Sequence, residues 1–434
     1  MPTTTLNRTK APRKKNTELS GLLIPELHKL DNGIPVYIIN GGTQDVMRLE
    51  FVFKAGSACQ RHPLESWFAV KMLNDGTENY TAEQISGLLE YYGAYIGAIP
   101  QKDNVTVSLS LLSKHLEKVF PILEEVIKKP VFPEKEFNIL IEQSRQKYID
   151  DQQRVSEIAA QKFNRAIFGE HHPYGKILNL EDFSLFNREW LHQFHRAKYS
   201  YDNVCIVVAG KIPENCFKLL NQYFGKDGWN KNSVEPVASN FDIQTVPGKY
   251  LFPKEDVFQS AIRIGKATVT MTHPDFPKLQ LLNTVFGGYF GSRLMSNIRE
   301  DKGYTYGIYS ALVNMNMAGL FFITSEVAAD STTRALDEVY KELKKLRSTD
   351  IPKAELSLVR NYMTGHLQRT LDGPFYTADR FKSVLDAGLD FKDYIANYVK
   401  IISETGKDEL KSLASAYFDE STMTEVVAGK KNQT

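Results

Sequence analysis

The sequence predicts an α+β fold of two homologous domains, each a mainly antiparallel sheet with helices packed on one face. Three observations predict it. One succession of strand and helix patterns occurs twice, offset by about 220 residues. Within each copy the strand patterns are grouped apart from the helix patterns instead of alternating with them one for one. A stretch rich in Asn, Gly, Pro and Lys then separates the copies.

The elements follow in order. Arg8, Lys10, Arg13, Lys14 and Lys15 precede the first acid, Glu18. This is the composition of a transit peptide without its amphipathic spacing, so residues 1–24 are expected to form a disordered or strapping arm. The N-terminal domain is placed at 25–225. Met47, Leu49, Phe51 and Phe53 alternate with other residues as a half-buried strand does. Pro63 is read as the first helical residue before Leu64, Trp67, Phe68, Met72 and Leu73, with Gly76 as the stop. Thr81-Ala82-Glu83-Gln84 has the form of a capping box ahead of Ile85, Leu88, Leu89 and Tyr92, and Gly93 ends that helix. Val105 to Leu111 alternates strictly. Leu116, Val119, Phe120 and Leu123 then share one helix face, and Phe132-Pro133 opens another helix.

The segment 226–249, with Trp229-Asn230-Lys231-Asn232 and Pro247-Gly248, is expected to be the linker. The C-terminal domain, 250–434, repeats the order. Ile262 and Ile264 alternate, Gly303-Tyr304-Thr305-Tyr306 parallels Gly93-Ala94-Tyr95-Ile96, and Gly319 to Val327 is a buried strand. Leu336, Val339, Tyr340 and Leu343 repeat the first helix, and Ile351-Pro352 repeats the start of the second, with an aliphatic residue in place of Phe132 before the proline. A cleft between two such halves is the natural binding geometry.

Composition removes several classes of function. Lys plus Arg is 53 against 52 for Asp plus Glu, too balanced for a chain built to hold nucleic acid. No run of about 18 apolar residues suggests a membrane span. Cys59, Cys205 and Cys216 are too few and scattered for a disulfide framework or a cysteine zinc site. A reducing compartment, the cytoplasm, is expected. Nucleophile-elbow, phosphate-loop and C-x-x-C motifs do not occur.

Other segments resemble a known family. Leu30-Asp31-Asn32-Gly33-Ile34-Pro35-Val36, Ala55-Gly56-Ser57, Asp75-Gly76-Thr77 and His172-Pro173-Tyr174-Gly175 lie in the first half. Phe286-Gly287-Gly288, Gly291-Ser292-Arg293-Leu294 and the run from Arg299 to Tyr306 lie in the second. In this order they make residues 25–430 resemble one half-molecule of the pitrilysin/insulinase family of zinc peptidases. The resemblance implies two homologous domains of metallohydrolase-like fold, and a peptide chamber enclosed by two such chains or by one double-length chain.

Active members of that family carry H-x-x-E-H on the helix before the Gly-Thr stop. Two imidazoles four residues apart hold zinc, the glutamate activates the attacking water, and a downstream glutamate completes the ligand set. Registered on Gly76-Thr77, this chain has Trp67-Phe68-Ala69-Val70-Lys71 instead. Trp67 and Lys71 replace the histidines and Val70 replaces the base. The downstream region, Gln143-Ser144-Arg145-Gln146-Lys147, offers no acid. No zinc is therefore expected in this chain, nor catalysis by it alone. His62-Pro63-Leu64-Glu65-Ser66 lies five residues too early, and His62 is read as a cap or surface residue. Glu170-His171-His172 is read as a polar loop, and His192 and His195 as helix-surface histidines.

In two-chain members, the resemblance further implies, the chain without zinc supplies an arginine and a tyrosine that bind the substrate backbone. They fall here on Arg299 and Tyr306, both able to donate to a carbonyl or oxyanion. Gly287, Gly288 and Gly291 fall where such chains have a substrate-handling loop, and a plain turn is the other reading. The expected function is a non-catalytic, peptide-binding subunit of a heterodimeric zinc peptidase. Its partner would be a zinc-bearing homologous chain, and a homodimer is conceivable in isolation. The alternatives are a self-sufficient peptidase with relocated ligands and a structural or assembly subunit.

Overall fold

The computed structural model describes residues 21–226, 229, 243 and 247–431. Residues 1–20 of the arm expected at 1–24 and most of the linker expected at 226–249 lie outside these residues.

Two sheets organise the molecule. The first half opens with β1 (Glu26–Lys29), β2 (Pro35–Asn40) and β3 (Val46–Phe53), followed by α1 (Glu65–Lys71) and α2 (Ala82–Tyr91). The Thr81 hydroxyl accepts from Gln84 N and the Gln84 side chain from Thr81 N, so the expected capping box is present. Next come β4 (Tyr95–Pro100), β5 (Val105–Leu112), α3 (Leu116–Lys128), α4 (Glu134–Asp151), α5 (Val155–Phe168), α6 (Leu180–Leu185), α7 (Arg188–Lys198), β6 (Val204–Gly210) and α8 (Cys216–Phe224). The sheet order is β1-β2-β6-β3-β5-β4; only the β2–β6 pair is parallel.

The second half contains β7 (Lys249–Pro253), β8 (Gln259–Thr268), α9 (Phe276–Phe286), β9 (Thr305–Asn314), β10 (Gly319–Ala328), α10 (Thr332–Ser348) and α11 (Lys353–Arg369). It ends with α12 (Gly373–Asp386), α13 (Phe391–Glu404), α14 (Lys407–Tyr417) and β11 (Thr424–Gly429). Its sheet runs β7-β11-β8-β10-β9, and only β7–β11 is parallel. The two orders superimpose element for element, apart from β1. The likeness reaches single residues. Gly210 (φ +117°) ends β6 and Gly429 (φ +125°) ends β11, each where a Cβ would stand under 2.7 Å from the neighbouring strand.

The sheets are mainly antiparallel, as expected, but helices cover both faces. Residues alternate across each strand, so Met47, Leu49, Phe51 and Phe53 of β3 face the first core with Phe68, Val119 and Phe120. On β6, Val207 and Ala209 face the other way and join the second half's core beside Ala378, Phe381 and Val384 of α12. The converse holds for the second sheet. Ala261, Leu320, Val426 and Ala428 pack against Val155, Ala159, Phe163 and Ile167 of α5. The halves thus exchange equivalent 14-residue helices, each closing the other's sheet.

Polar contacts lock the exchange. Arg48 of β3 reaches Asp379 of α12 at 2.7 Å, and Lys382 pairs with the buried Glu50. At the other seam Tyr174 is buried and its hydroxyl donates to Asp103, which accepts from Asn316 N at 3.0 Å in the β9–β10 turn. Burial beside that carboxylate pushes the Tyr174 phenol far above its usual range. Gly56 approaches the same region so closely that a Cβ there would stand 2.3 Å from the Lys102 carbonyl oxygen.

Candidate functional site

The helix expected to carry a metal motif begins later than its sequence suggests. Leu64 occupies the N-cap with φ +77°, so Pro63 lies outside the helix, and α1 ends at Lys71, short of Gly76. The reason is local. Glu65 is buried, and its carboxylate accepts from Arg61 N at 2.8 Å, which folds the preceding chain back over the first turn. Burial raises the Glu65 carboxyl, and the amide donors at Arg61 and His62 oppose that shift. The His62 ring stacks on Trp190 with centroids 3.7 Å apart.

Along α1, Phe68, Ala69 and Val70 are in the core, Trp67 is half-buried and Lys71 is exposed. Val70, at the position of the base, faces hydrophobic neighbours. The Lys71 ammonium stands 5.8 Å from the Trp67 ring centroid, an attractive cation–π distance. Trp67 forms one wall of a cavity of about 390 Å³ between α1, α4 and the His172–Leu178 loop. Across it α4 presents Ser144, Lys147, Tyr148 and Asp151. Asp151 is engaged by Lys147 at 2.6 Å and by Arg154; the Lys147 hydrogen bond leads in holding its carboxyl below the usual range. An indole, an ammonium and a carboxylate held by two cations cannot supply a zinc ligand set. Among the described residues no group of three or more His, Cys, Asp or Glu could hold a metal.

Two histidine readings change. Glu170 and His171 are exposed, as a polar loop requires, but His172 is buried and its Nδ1 accepts from Tyr174 N at 3.0 Å. His195 is a core residue, with Nε2 2.8 Å from the Ile127 carbonyl oxygen and its ring stacked on Tyr199. Burial pushes its pKa down to about 4. An i, i+3 pair on one helix shows which face it shares but not whether that face is wet.

In the second half Arg299 and Tyr306 come together as lining residues of one open cavity of about 750 Å³. Arg299 projects from a π-helical turn, Met295–Asp301, anchored by buried Met295 and Ile298. Gly303 (φ +64°) reverses the chain into β9. There the register with β10 shifts between Ser325 and Val327, so Tyr306 and Gly307 together oppose Glu326. A bulge of this kind re-aims a side chain, and the Tyr306 ring stands 93% exposed. The free edge of β9 continues from it.

Gly287 and Gly288 close the end of α9, both amides donating to the Asn283 carbonyl. A Cβ on Gly287 would stand 2.4 Å from Ser310 Oγ, and one on Gly288 2.8 Å from Thr284 Cα. A Cβ on Gly291 would meet the Tyr289 ring at 2.9 Å. What the loop exposes is Phe290, whose ring lies 4.7 Å beneath the Arg299 guanidinium. Sequence reasoning missed Phe290 as the support of Arg299. An exposed aromatic between glycines was the available signal.

Comparisons with known proteins show the family and the fold. Residues 36–179 match the family model described as insulinase (peptidase family M16), and residues 186–363 match that of the peptidase M16 inactive domain. An uncharacterized zinc protease of Rickettsia felis is 24% identical over 92% of this chain and 97% of its own. A probable inactive metalloprotease of Bacillus subtilis, YmfF, is 21% identical over 88% and 94%. The solved peptidase M16 inactive domain from Pseudomonas fluorescens superimposes with TM-score 0.83 at 22% identity, covering 94% of this chain and 99% of that one. A protease from Helicobacter pylori gives TM-score 0.83 at 17% identity over 94% and 100%, and both structures show the shared fold.

Proposed function

Since the chain belongs to the M16 peptidase family, we propose that it is a non-catalytic, peptide-binding subunit acting with a zinc-bearing homologous chain. The observation that carries this reading is an asymmetry between its halves. The first half has Trp67, Val70 and Lys71 in the register of the inverted zinc motif, whereas the second presents Arg299 and Tyr306 in one open cavity. A guanidinium and a phenol there can donate to a peptide carbonyl, and to the oxyanion formed when a partner's zinc-bound water attacks it. The free edge of β9 supplies backbone groups for an extended peptide. Its three cysteines are free thiols, so a reducing compartment, the cytoplasm, is part of the proposal. Among the described residues no helix is long and apolar enough to cross a membrane.

Mixing the purified chain with a zinc-bearing homologue of the same source, and assaying peptide hydrolysis, tests this. Activity that needs both chains supports it. Full activity of the homologue alone overturns it, as does roughly stoichiometric zinc in the chain described here.

A further inference from the structure

The cavity against α1 has more in it than the loss of a metal motif. Its inner surface is mostly apolar: Leu64, the Trp67 indole, Ile177 and Phe183 line it, together with the Tyr148 ring. Tyr148 is fixed there by a hydrogen bond of 2.7 Å from its hydroxyl to the Leu178 carbonyl. Ser144 Oγ, buried and without a hydrogen-bond partner, belongs to the same wall. At about 390 Å³ the space falls in the range of small-molecule sites, which bury an apolar body and orient it by a few polar groups.

The charge of the lining is one-sided. Arg61, Lys102, Lys147 and Lys176 line the cavity against a single carboxylate, Asp151. Asp151 is already engaged by Lys147 and Arg154. Arg61, Lys102 and Lys176 reach the surface, and among the described residues none of the three forms an ion pair of 4 Å or less; Glu65 acts on Arg61 and Asp103 on Lys102 at longer range, and partial burial lowers the pKa of the Lys102 ammonium. Three cations outside any ion pair around an apolar pocket favour an anion with an apolar body, because that ligand satisfies charge and burial together.

We propose that this cavity binds an organic carboxylate with an aromatic or branched apolar body, its carboxylate held among Arg61, Lys102 and Lys176 and its body against Trp67. The C-terminal residue of a peptide and a free aromatic acid share this chemistry. The site lies in the first half, apart from Arg299 and Tyr306, and does not depend on a partner chain.

Calorimetric titration of the full chain, without any partner, tests it with four probes. These are N-acetyl-phenylalanine, its amide, and a Gly-Gly-Gly-Gly-Phe peptide with a free or an amidated end. The acids should bind at least about tenfold more tightly than the matching amides, the effect of roughly one charge-assisted hydrogen bond. Arg61→Gln with Lys176→Gln should remove that preference and leave the melting temperature unchanged, since both side chains are exposed. Trp67→Ala should weaken acids and amides alike. A peptide acid that outbinds the small acid marks a peptide end as the ligand, and the reverse order marks a free acid. Equal binding of acids and amides, or no saturation of any probe below roughly 10 mM, overturns the proposal.

Discussion

Glu50 of β3 and Lys382 of α12 form an ion pair 332 positions apart in sequence, across the face where the second half closes the first half's sheet. The side chains are 5% and 17% exposed, and Arg48 approaches Glu50 at 3.2 Å while holding Asp379 at 2.7 Å. Water screens such a pair poorly, so losing one partner costs more than at a surface. Lys382→Ala should destabilise the chain by about 1–3 kcal/mol, less than for a fully orphaned charge because Arg48 remains. A double-mutant cycle with Glu50→Gln, read by urea unfolding, should give a coupling of about 1 kcal/mol or more. A coupling within error of zero would show that the pair does not hold the halves together.

Two glycine substitutions should act in opposite directions. Gly56→Ala would place a methyl 2.3 Å from the Lys102 carbonyl oxygen and 2.4 Å from the Asp103 carbonyl carbon, backbone that cannot swing aside. A loss of at least about 2 kcal/mol is expected, with displacement of the loop that carries Lys102. Gly87→Ala lies inside α2 with nothing within 4 Å of the new methyl, and should stabilise by about 0.5–1 kcal/mol. Melting temperatures of the two variants check both signs.

His195 sets a limit on acid stability. Its pKa is pushed down to about 4 by burial in the folded chain, against about 6.5 when unfolded. Between these values the unfolded state binds the additional proton, so stability falls as pH drops from about 6.5 to about 4. The shift corresponds to roughly 3 kcal/mol. His192, lowered chiefly by burial, acts in the same direction. His195→Gln, which can still reach the Ile127 carbonyl, should flatten the stability profile in this window. An unchanged slope would assign the acid sensitivity to other groups.

On the two-chain reading, Arg299→Ala and Tyr306→Phe should each lower kcat/KM of the assembled peptidase by about ten- to a hundredfold. The melting temperature of Tyr306→Phe should not move, because that residue is 93% exposed, and Arg299→Ala should cost about 1 kcal/mol or less, the worth of its contact with Phe290. Phe290→Ala should produce a smaller loss by freeing Arg299 from its ring. Wild-type cleavage by all three variants would assign this surface a role other than substrate contact.

The sequence carried the order of elements well and their partners poorly. The repeat disclosed β5 and β10, α3 and α10, and α4 and α11, because helical and strand periodicities survive in both copies. The capping box at Thr81 was readable because both of its hydrogen bonds are local. The exchange of α5 and α12 was not, since an amphipathic pattern says that a face is buried without saying against which sheet. The start of α1 was misplaced because Pro63 fits a first helical turn, while the decisive contact is the buried Glu65 carboxylate on Arg61 N. The pairing of Arg299 and Tyr306 was implied by the family resemblance, but the bulge that turns Tyr306 outward depends on β10. The cavity beside Trp67 joins residues from 57 to 183 and leaves no local trace.

The reciprocal placement of α5 and α12 has a consequence for ancestry. A polypeptide encoding a single copy of the repeat would leave one side of its sheet bare, an apolar surface that water does not tolerate. It could cover that side only by trading the helix with a twin. Gene duplication and fusion would then have turned an intertwined pair into one continuous molecule, and its two copies could diverge without ever parting.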